Sequence, residues 1–369
     1  MRMQPALLEE WLRERYFAAG ADLSSSGVQP WTYGELRELI GLDSGALDAL
    51  VFADSESFGA RPLRAAIAER WAGGDADRVF VTHGSSEGIF LVMHALLEPG
   101  DEVVAVEPAY HALVDVAAAA GARLRRWVLR PEDGFAPDLD RLAQLITPAT
   151  RMVIVNFPHN PTGVSLDEAG LARLVDLVAA NGSYLVWDGA FAELTYDAPP
   201  LPDPAGWYER AVSFGTLSKA HGLPGLRVGW CIADPAIFAK LLPLRDRMTL
   251  AISPLVEFVA TRAVACADLL VAARLSQAAY NRDTLADWAK QLTGLVDLPM
   301  GGGGVCVFPR IHVEDVDAFC QSLFERDGVL VVPGSCFGHP GHIRLGYGCA
   351  TDDFDFGLVR LADALGGAR

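Results

Sequence analysis

Between residues 79 and 234, short β-rich runs alternate with helical patterns, and no other feature of the chain narrows its fold as far. VFVTHG (79–84) leads into EGIFLVMHALL, whose apolar residues at 89, 90, 93, 96 and 97 keep helical spacing. PGDEVVAVEPAY (99–110), the helical HALVDVAAAAGA and the strand RLRRWVL follow. TRMVIVNFPHNPTG (150–163) is a buried strand running into turn residues, and LDEAGLARLVDLVAANG is a helix that stops at Asn181-Gly182. SYLVWDGAF, RAVSFGTLSK and LRVGWCIAD read as three more strands. Alternation of this kind predicts an α/β fold, a mainly parallel mixed sheet between helices. From about residue 245 long helical patterns replace it, followed by the short strands GGVCVFPR, GVLVVPG and HIRLGYG. The expected division is an N-terminal segment (1–45) packing with a small domain, a large domain (46–244) and a small C-terminal α+β domain (245–369).

Charge and apolar patterning exclude several functions. Lys plus Arg is 30 and Asp plus Glu is 47, a net charge of −17. Such a balance repels phosphate backbones and anionic lipid, so neither nucleic acid nor a membrane surface is an expected partner. No apolar stretch reaches the ~18 residues of a membrane-spanning helix. The six cysteines form no C-x-x-C pair and no His-Cys cluster, so no metal site is expected. A cytoplasmic enzyme acting on a small molecule is the resulting expectation.

In open parallel sheets ligands bind beyond the carboxyl ends of the strands. The residues standing there are His83 to Ser86, Tyr110, Asn156 to Gly163, Asp188 and Thr216 to Lys219. Only three lysines occur in the chain, Lys219, Lys240 and Lys290, and Lys219 alone follows a sheet strand. Burial there disfavours the charged amine and leaves a nucleophile suited to a Schiff base; the plainer reading is a surface lysine. Arg227 enters the next strand between glycines (Gly225 and Gly229), where a fixed charge calls for an anionic partner. Asp188 closes an apolar strand, either as a helix cap or as the partner of a cation. Gly84-Ser85-Ser86 opens a helix, which makes an anion site or an ordinary cap. Asn160-Pro161-Thr162-Gly163 could be a turn and nothing more.

Taken together, HNPTG (159–163), Asp188, S-K-x-x-G-L-x-G-x-R-x-G (218–229), G-x-x-x-L-R (59–64) and I-R-L-G (343–346) span nearly the whole chain. In that order they resemble the pyridoxal-phosphate (PLP) enzymes of fold type I, the class I/II aminotransferase group. The resemblance implies that group's fold, its cofactor pyridoxal 5'-phosphate and a homodimer. It also implies roles: Lys219 holds the cofactor and moves the Cα proton, Asp188 pairs with the ring nitrogen, and Asn160 meets the ring hydroxyl. Ser85, Ser86, Thr216 and Arg227 would hold the phosphate, and Tyr110 would lie over the ring. Arg344 would grip the substrate α-carboxylate, with Gly27 and Asn160 beside it.

Two positions depart from the group's usual pattern: Phe191 stands where tyrosine is common, and Asp54 where many members place a tyrosine. Closer resemblance over WLRERYF (11–17), SSSGV (24–28), THGSSE (82–87), WDGAF (187–191) and GVLVVPG (328–334) points to a subgroup. Those enzymes cyclise 3-hydroxy-L-arginine for peptide antibiotics, and the two departures fit that subgroup. Such chemistry implies Cα deprotonation, loss of water and attack by the guanidine of the same side chain. The alternatives are an ordinary aminotransferase, a PLP-dependent arginine oxidase, and a non-enzymatic regulator, against which the retained Lys219 argues. For the substrate guanidinium, Asp22, Asp54, Glu87, Asp115 and Glu193 all stand as candidates.

Overall fold

The computed structural model describes residues 3–367, so the outermost residues of the expected terminal segments, 1–2 and 368–369, lie outside the described residues. Seven strands form the main sheet: β1 (Val79–Thr82), β2 (Glu102–Glu107), β3 (Arg123–Val128), β4 (Thr150–Asn156), β5 (Tyr184–Asp188), β6 (Ala211–Thr216) and β7 (Gly229–Ile232). Their spatial order is β1-β7-β6-β5-β4-β2-β3. β7 runs antiparallel to both its neighbours, while the other pairings are parallel. The sheet is therefore mixed and mainly parallel.

Period-two alternation decides which side chains face which layer. Val79, Val81, Val104, Val106, Val153, Val155, Leu185, Trp187 and Trp230 pack on one face, against helices that include Arg61–Trp71 and Glu168–Asn181. Phe80, Val103, Ala105, Met152, Ile154, Val186, Val212 and Phe214 pack on the other, against Gly84–Leu96, His111–Ala119 and Pro235–Arg245. Helix Glu168–Asn181 ends as its sequence predicts, with Gly182 left-handed at φ 68°. At its start the Asp167 carboxylate accepts the Gly170 N–H.

A separate core joins Leu23 and Val28 to Val271, Leu285, Val307, Leu323, Val331, Leu345 and Leu361. Here Ile343–Gly346 is the middle strand of three, paired with Cys306–Val307 and Val332–Pro333. The N-terminal segment enters this layer by pairing Ala21 with Val329. Leu36, Ile40, Val259 and Leu270 instead join the core of the main sheet.

Candidate active site

Strand direction alone gathers the site. The carboxyl ends of β1, β2, β4, β5 and β6 lie along one edge, and the antiparallel β7 brings its amino end to the same edge. That edge and the N-terminal helix (Leu7–Arg15) enclose a cavity of about 200 Å³. It is lined by Ser85, Ser86, Tyr110, Asn160, Asp188, Thr216, Lys219, Arg227 and Arg344, nine of the ten residues to which the resemblance assigns cofactor or substrate roles. Gly27, the tenth, backs the lysine instead: a Cβ there would stand 3.7 Å from the Lys219 Cδ. Its neighbour Ser26 lines the cavity.

One end of the cavity is built to hold an anion. Gly84, at φ 73°, starts the helix that carries Ser85 and Ser86. A Cβ on Gly84 would lie 2.7 Å from the Arg227 Nη2, and one on Gly229 would lie 2.4 Å from the Ser85 amide, so glycine at both positions is what lets the parts meet. Arg227 holds a left-handed backbone, φ 54°, a strained state for a residue with a Cβ. Its Nη1 donates to the Pro224 carbonyl at 3.2 Å, and no carboxylate pairs with it among the described residues. Thr216 Oγ1 lies beside the same end, donating to Ser218 Oγ at 3.0 Å.

At the centre Lys219 Nζ donates to Ser26 Oγ at 2.9 Å and stands 5.8 Å from the Phe191 ring centroid. Burial, helped by the nearby Arg344 charge, brings the Lys219 amine down to about 8. Asp188 ends β5 in register with Asn156 of β4. Its Oδ1 accepts the Ala190 N–H at 3.0 Å, and its carbonyl accepts from Asn156 Nδ2 at 2.8 Å. Burial raises the Asp188 carboxyl to about 6, opposed by the Ala190 N–H and the Lys219 charge.

The far end holds Arg344, buried in the short middle strand. Its Nη1 donates to Asn160 Oδ1 at 3.1 Å and its Nη2 to the Ser24 carbonyl at 2.7 Å. Its Nε has no partner, and no carboxylate pairs with the group among the described residues. A buried guanidinium left with one free donor needs an anion.

Sequence reasoning gave no role to several lining residues: Leu8, Glu9 and Leu12 from the N-terminal helix, Ser26, and Asn156 and Ser218, which it placed at strand ends only. Asn156 had a usable signal, since it ends its strand as Asp188 ends the adjacent one, and the two are register partners. None of the five acids considered for a guanidinium lines the cavity. Glu87 is held by Arg245, Thr249 and the His83 amide, and burial is overcome by these partners to keep its carboxyl at about 2. Glu193 is bound to Arg70 and His221. Asp22 accepts from both the amide and the hydroxyl of Ser24. Asp115 lies on helix His111–Ala119, and Asp54 lines an apolar groove between Leu42 and Phe258.

A larger cavity of about 370 Å³ adjoins Ala190 and Thr216 from behind, among Trp71, Trp187 and Trp230. Its acids already have partners: Glu193 those above, and Asp203 the Ser213 hydroxyl. The smaller cavity keeps unpaired charges and is the better candidate.

Known proteins place this geometry. A model of the family described as aminotransferase class I and II matches residues 55–361. Capreomycidine synthase of Streptomyces vinaceus is 50% identical over 364 residues, 98% of this chain and 94% of that protein. The arginine–pyruvate transaminase AruH of Pseudomonas aeruginosa is 33% identical, covering 82% of this chain and 80% of its own. Among solved structures, the PLP-dependent cyclase OrfR superposes with a TM-score of 0.95 at 46% identity, over 100% of this chain and 99% of that one.

Proposed function

The chain belongs to the aminotransferase class I and II family, and we propose that it is a pyridoxal-phosphate enzyme that cyclises (3S)-3-hydroxy-L-arginine to capreomycidine. The observation that carries the reaction is the likeness to capreomycidine synthase along nearly the whole chain. The residues present fit the cofactor: a buried Asp188 in no salt bridge among the described residues, an Arg227 with no carboxylate, and two glycines that let Arg227 and the Ser85 amide come together. Ser85, Ser86, Thr216 and Arg227 would hold its phosphate, Asp188 its ring nitrogen, Asn160 its hydroxyl and Lys219 its aldehyde carbon, with Tyr110 over the ring face. When bound, the cofactor supplies a covalent anchor for the substrate amine and a sink for the electrons left at Cα.

The chain's own residues do the rest. Arg344 binds the α-carboxylate as a fork, with Asn160 and Ser24 holding the guanidinium plane in place. Lys219, with its lowered amine, takes the proton from Cα and returns it. Phe191, Leu8 and Leu12 keep that region apolar and exclude water. The substrate loses its Cα proton and Cβ hydroxyl as water, a guanidine nitrogen then bonds to Cβ to close a six-membered ring, and the proton that nitrogen sheds is returned to Cα through Lys219. An intramolecular nucleophile has an effective concentration of up to ~10⁵ M or more when well oriented. Incubation with 3-hydroxy-L-arginine should therefore give a product one water lighter that keeps its α-amino group, with no keto acid added. The likeness to an arginine transaminase favours one second reading, plain transamination. A requirement for a keto acid, or loss of nitrogen from the product, would establish it instead.

We also propose a homodimer. Val51 and Phe52 are 75% and 77% exposed, and Val51 lines an apolar groove with Leu42, Leu50 and Phe258. A second copy covering this face would remove it from water. Sedimentation should give the mass of two chains, and Phe52→Asp should shift it toward one. The proposed division into 46–244 and 245–369 is supported by the separate core, which draws mainly on residues beyond 270, while Val259 and Leu270 join the core of the main sheet. No helix among the described residues is long and apolar enough to cross a membrane. A cytoplasmic setting is supported by six free cysteines.

A further inference from the structure

Five charged side chains line the cavity, and the reading above uses four of them: Lys219, Asp188, Arg227 and Arg344. The fifth is Glu9, on the N-terminal helix. Its Oε1 lies 3.2 Å from His111 Nε2, and its side chain stays 46% exposed, leaving the second oxygen open to another partner. The His111 contact holds its carboxyl below the usual range against desolvation, and the charges of Lys219 and Arg344 add to that. Glu9 is thus an anion within electrostatic reach of the amine that works at Cα and of the arginine that anchors the α-carboxylate.

A substrate guanidinium brought into this cavity leaves water and needs an anion with acceptors to match its donors. Asp188 cannot serve, because the cofactor ring nitrogen occupies it in the proposed complex. None of the five acids weighed from the sequence lines the cavity, and Glu87, Glu193 and Asp22 are bound elsewhere in the fold. We infer that Glu9 receives the guanidinium of the substrate and holds the side chain folded back toward Cβ. This rests on the reading of the protein as an enzyme of hydroxyarginine.

The helix is placed to make that contact count. On the side away from the cavity, Trp11 Nε1 donates to the Val331 carbonyl at 2.9 Å, and Arg15 donates to Gln321 Oε1. Toward the cavity it presents Leu8 and Leu12 beside Glu9. A substrate side chain turned toward this helix would therefore meet two apolar residues beside its methylenes and a carboxylate at its head. Ring closure needs the head near Cβ, and a fixed anion restricts where the head can go.

The test compares binding of L-arginine with that of L-norvaline, which has the same carbon chain and no guanidinium. Calorimetry on the cofactor-loaded dimer reads both, and neither needs cyclisation. Glu9→Gln should weaken L-arginine binding at least tenfold and leave L-norvaline within twofold, with the cofactor absorbance unchanged. Glu9→Asp should fall between Glu9→Gln and wild type. Equal losses for both ligands, or no loss for L-arginine, would overturn the assignment. So would Asp22→Asn weakening L-arginine while Glu9→Gln does not. A wild-type protein that binds L-arginine through Glu9 yet forms no lighter product from 3-hydroxy-L-arginine would refute the cyclase reading and leave Glu9 in place.

Discussion

Lys219→Ala should lower turnover by at least ~10⁴-fold, because it removes a covalent nucleophile and a general base together. Neither remaining lysine can replace it. Lys240 donates to the Tyr184 hydroxyl at 3.2 Å, and Lys290 pairs with Asp287 at 2.8 Å, both away from the cavity. Lys219→Arg should be equally inactive, since it restores the charge without a neutral nitrogen at working pH. Borohydride reduction of the loaded enzyme followed by peptide mapping should find the cofactor on Lys219, and a label on Lys240 or Lys290 would refute the assignment. The pH dependence has a definite sign. The lowered amine is half neutral at about 8, so capture of cofactor by the unloaded protein should quicken as pH rises and level off above that value. An ordinary lysine would not level off until pH passed ~10.4. Stopped-flow absorbance distinguishes the two curves.

The parts of the site that were legible in the sequence are those fixed by strand phase. Asn156, Asp188 and Thr216 each continue the register of residues buried against helix Gly84–Leu96, such as Ile154, Val186 and Phe214. Period two therefore aims all three at one place once the strands are parallel. Arg227 was legible by its spacing from Lys219, although its reason lies in the antiparallel β7, which brings an amino end to an edge of carboxyl ends. Glu9 and Ser26 were not legible. The Lys219–Ser26 bond spans 193 residues, and the contact between Glu9 and His111 spans 102. Nothing local distinguishes such residues from any surface acid or serine. The five acids weighed for the guanidinium show the same limit. Glu87 looks free in THGSSE, but Arg245 reaches it from 158 residues away.

Asp188→Asn should keep the fold, lose most turnover and make the unloaded protein more stable, a combination that a purely structural residue would not show. The amide has the shape of the carboxyl and still accepts the Ala190 N–H that Asp188 Oδ1 holds at 3.0 Å. It cannot balance a positive charge on a ring nitrogen. Removing one partner of a buried charge pair costs about 3–5 kcal/mol, which converts to a loss of roughly 10²–10⁴-fold if it falls on the transition state. Stability moves the other way. Burial raises the Asp188 carboxyl from 3.8 to about 6 in the folded protein, so the folded state binds that proton more tightly than the unfolded one. Its ionisation therefore destabilises the unloaded fold progressively as pH rises from 3.8 through about 6, and the cost is fully present above that. The shift of roughly two units corresponds to about 3 kcal/mol at neutral pH. Asparagine does not ionise and escapes this cost. At pH 7.5 the unloaded Asp188→Asn protein should melt higher than wild type, and near pH 4 the two should converge. With cofactor bound the difference should shrink or reverse, because the wild-type carboxylate then has its cation. Near-normal turnover, or a lower melting temperature in the unloaded variant, would show that Asp188 serves the fold and not the ring nitrogen.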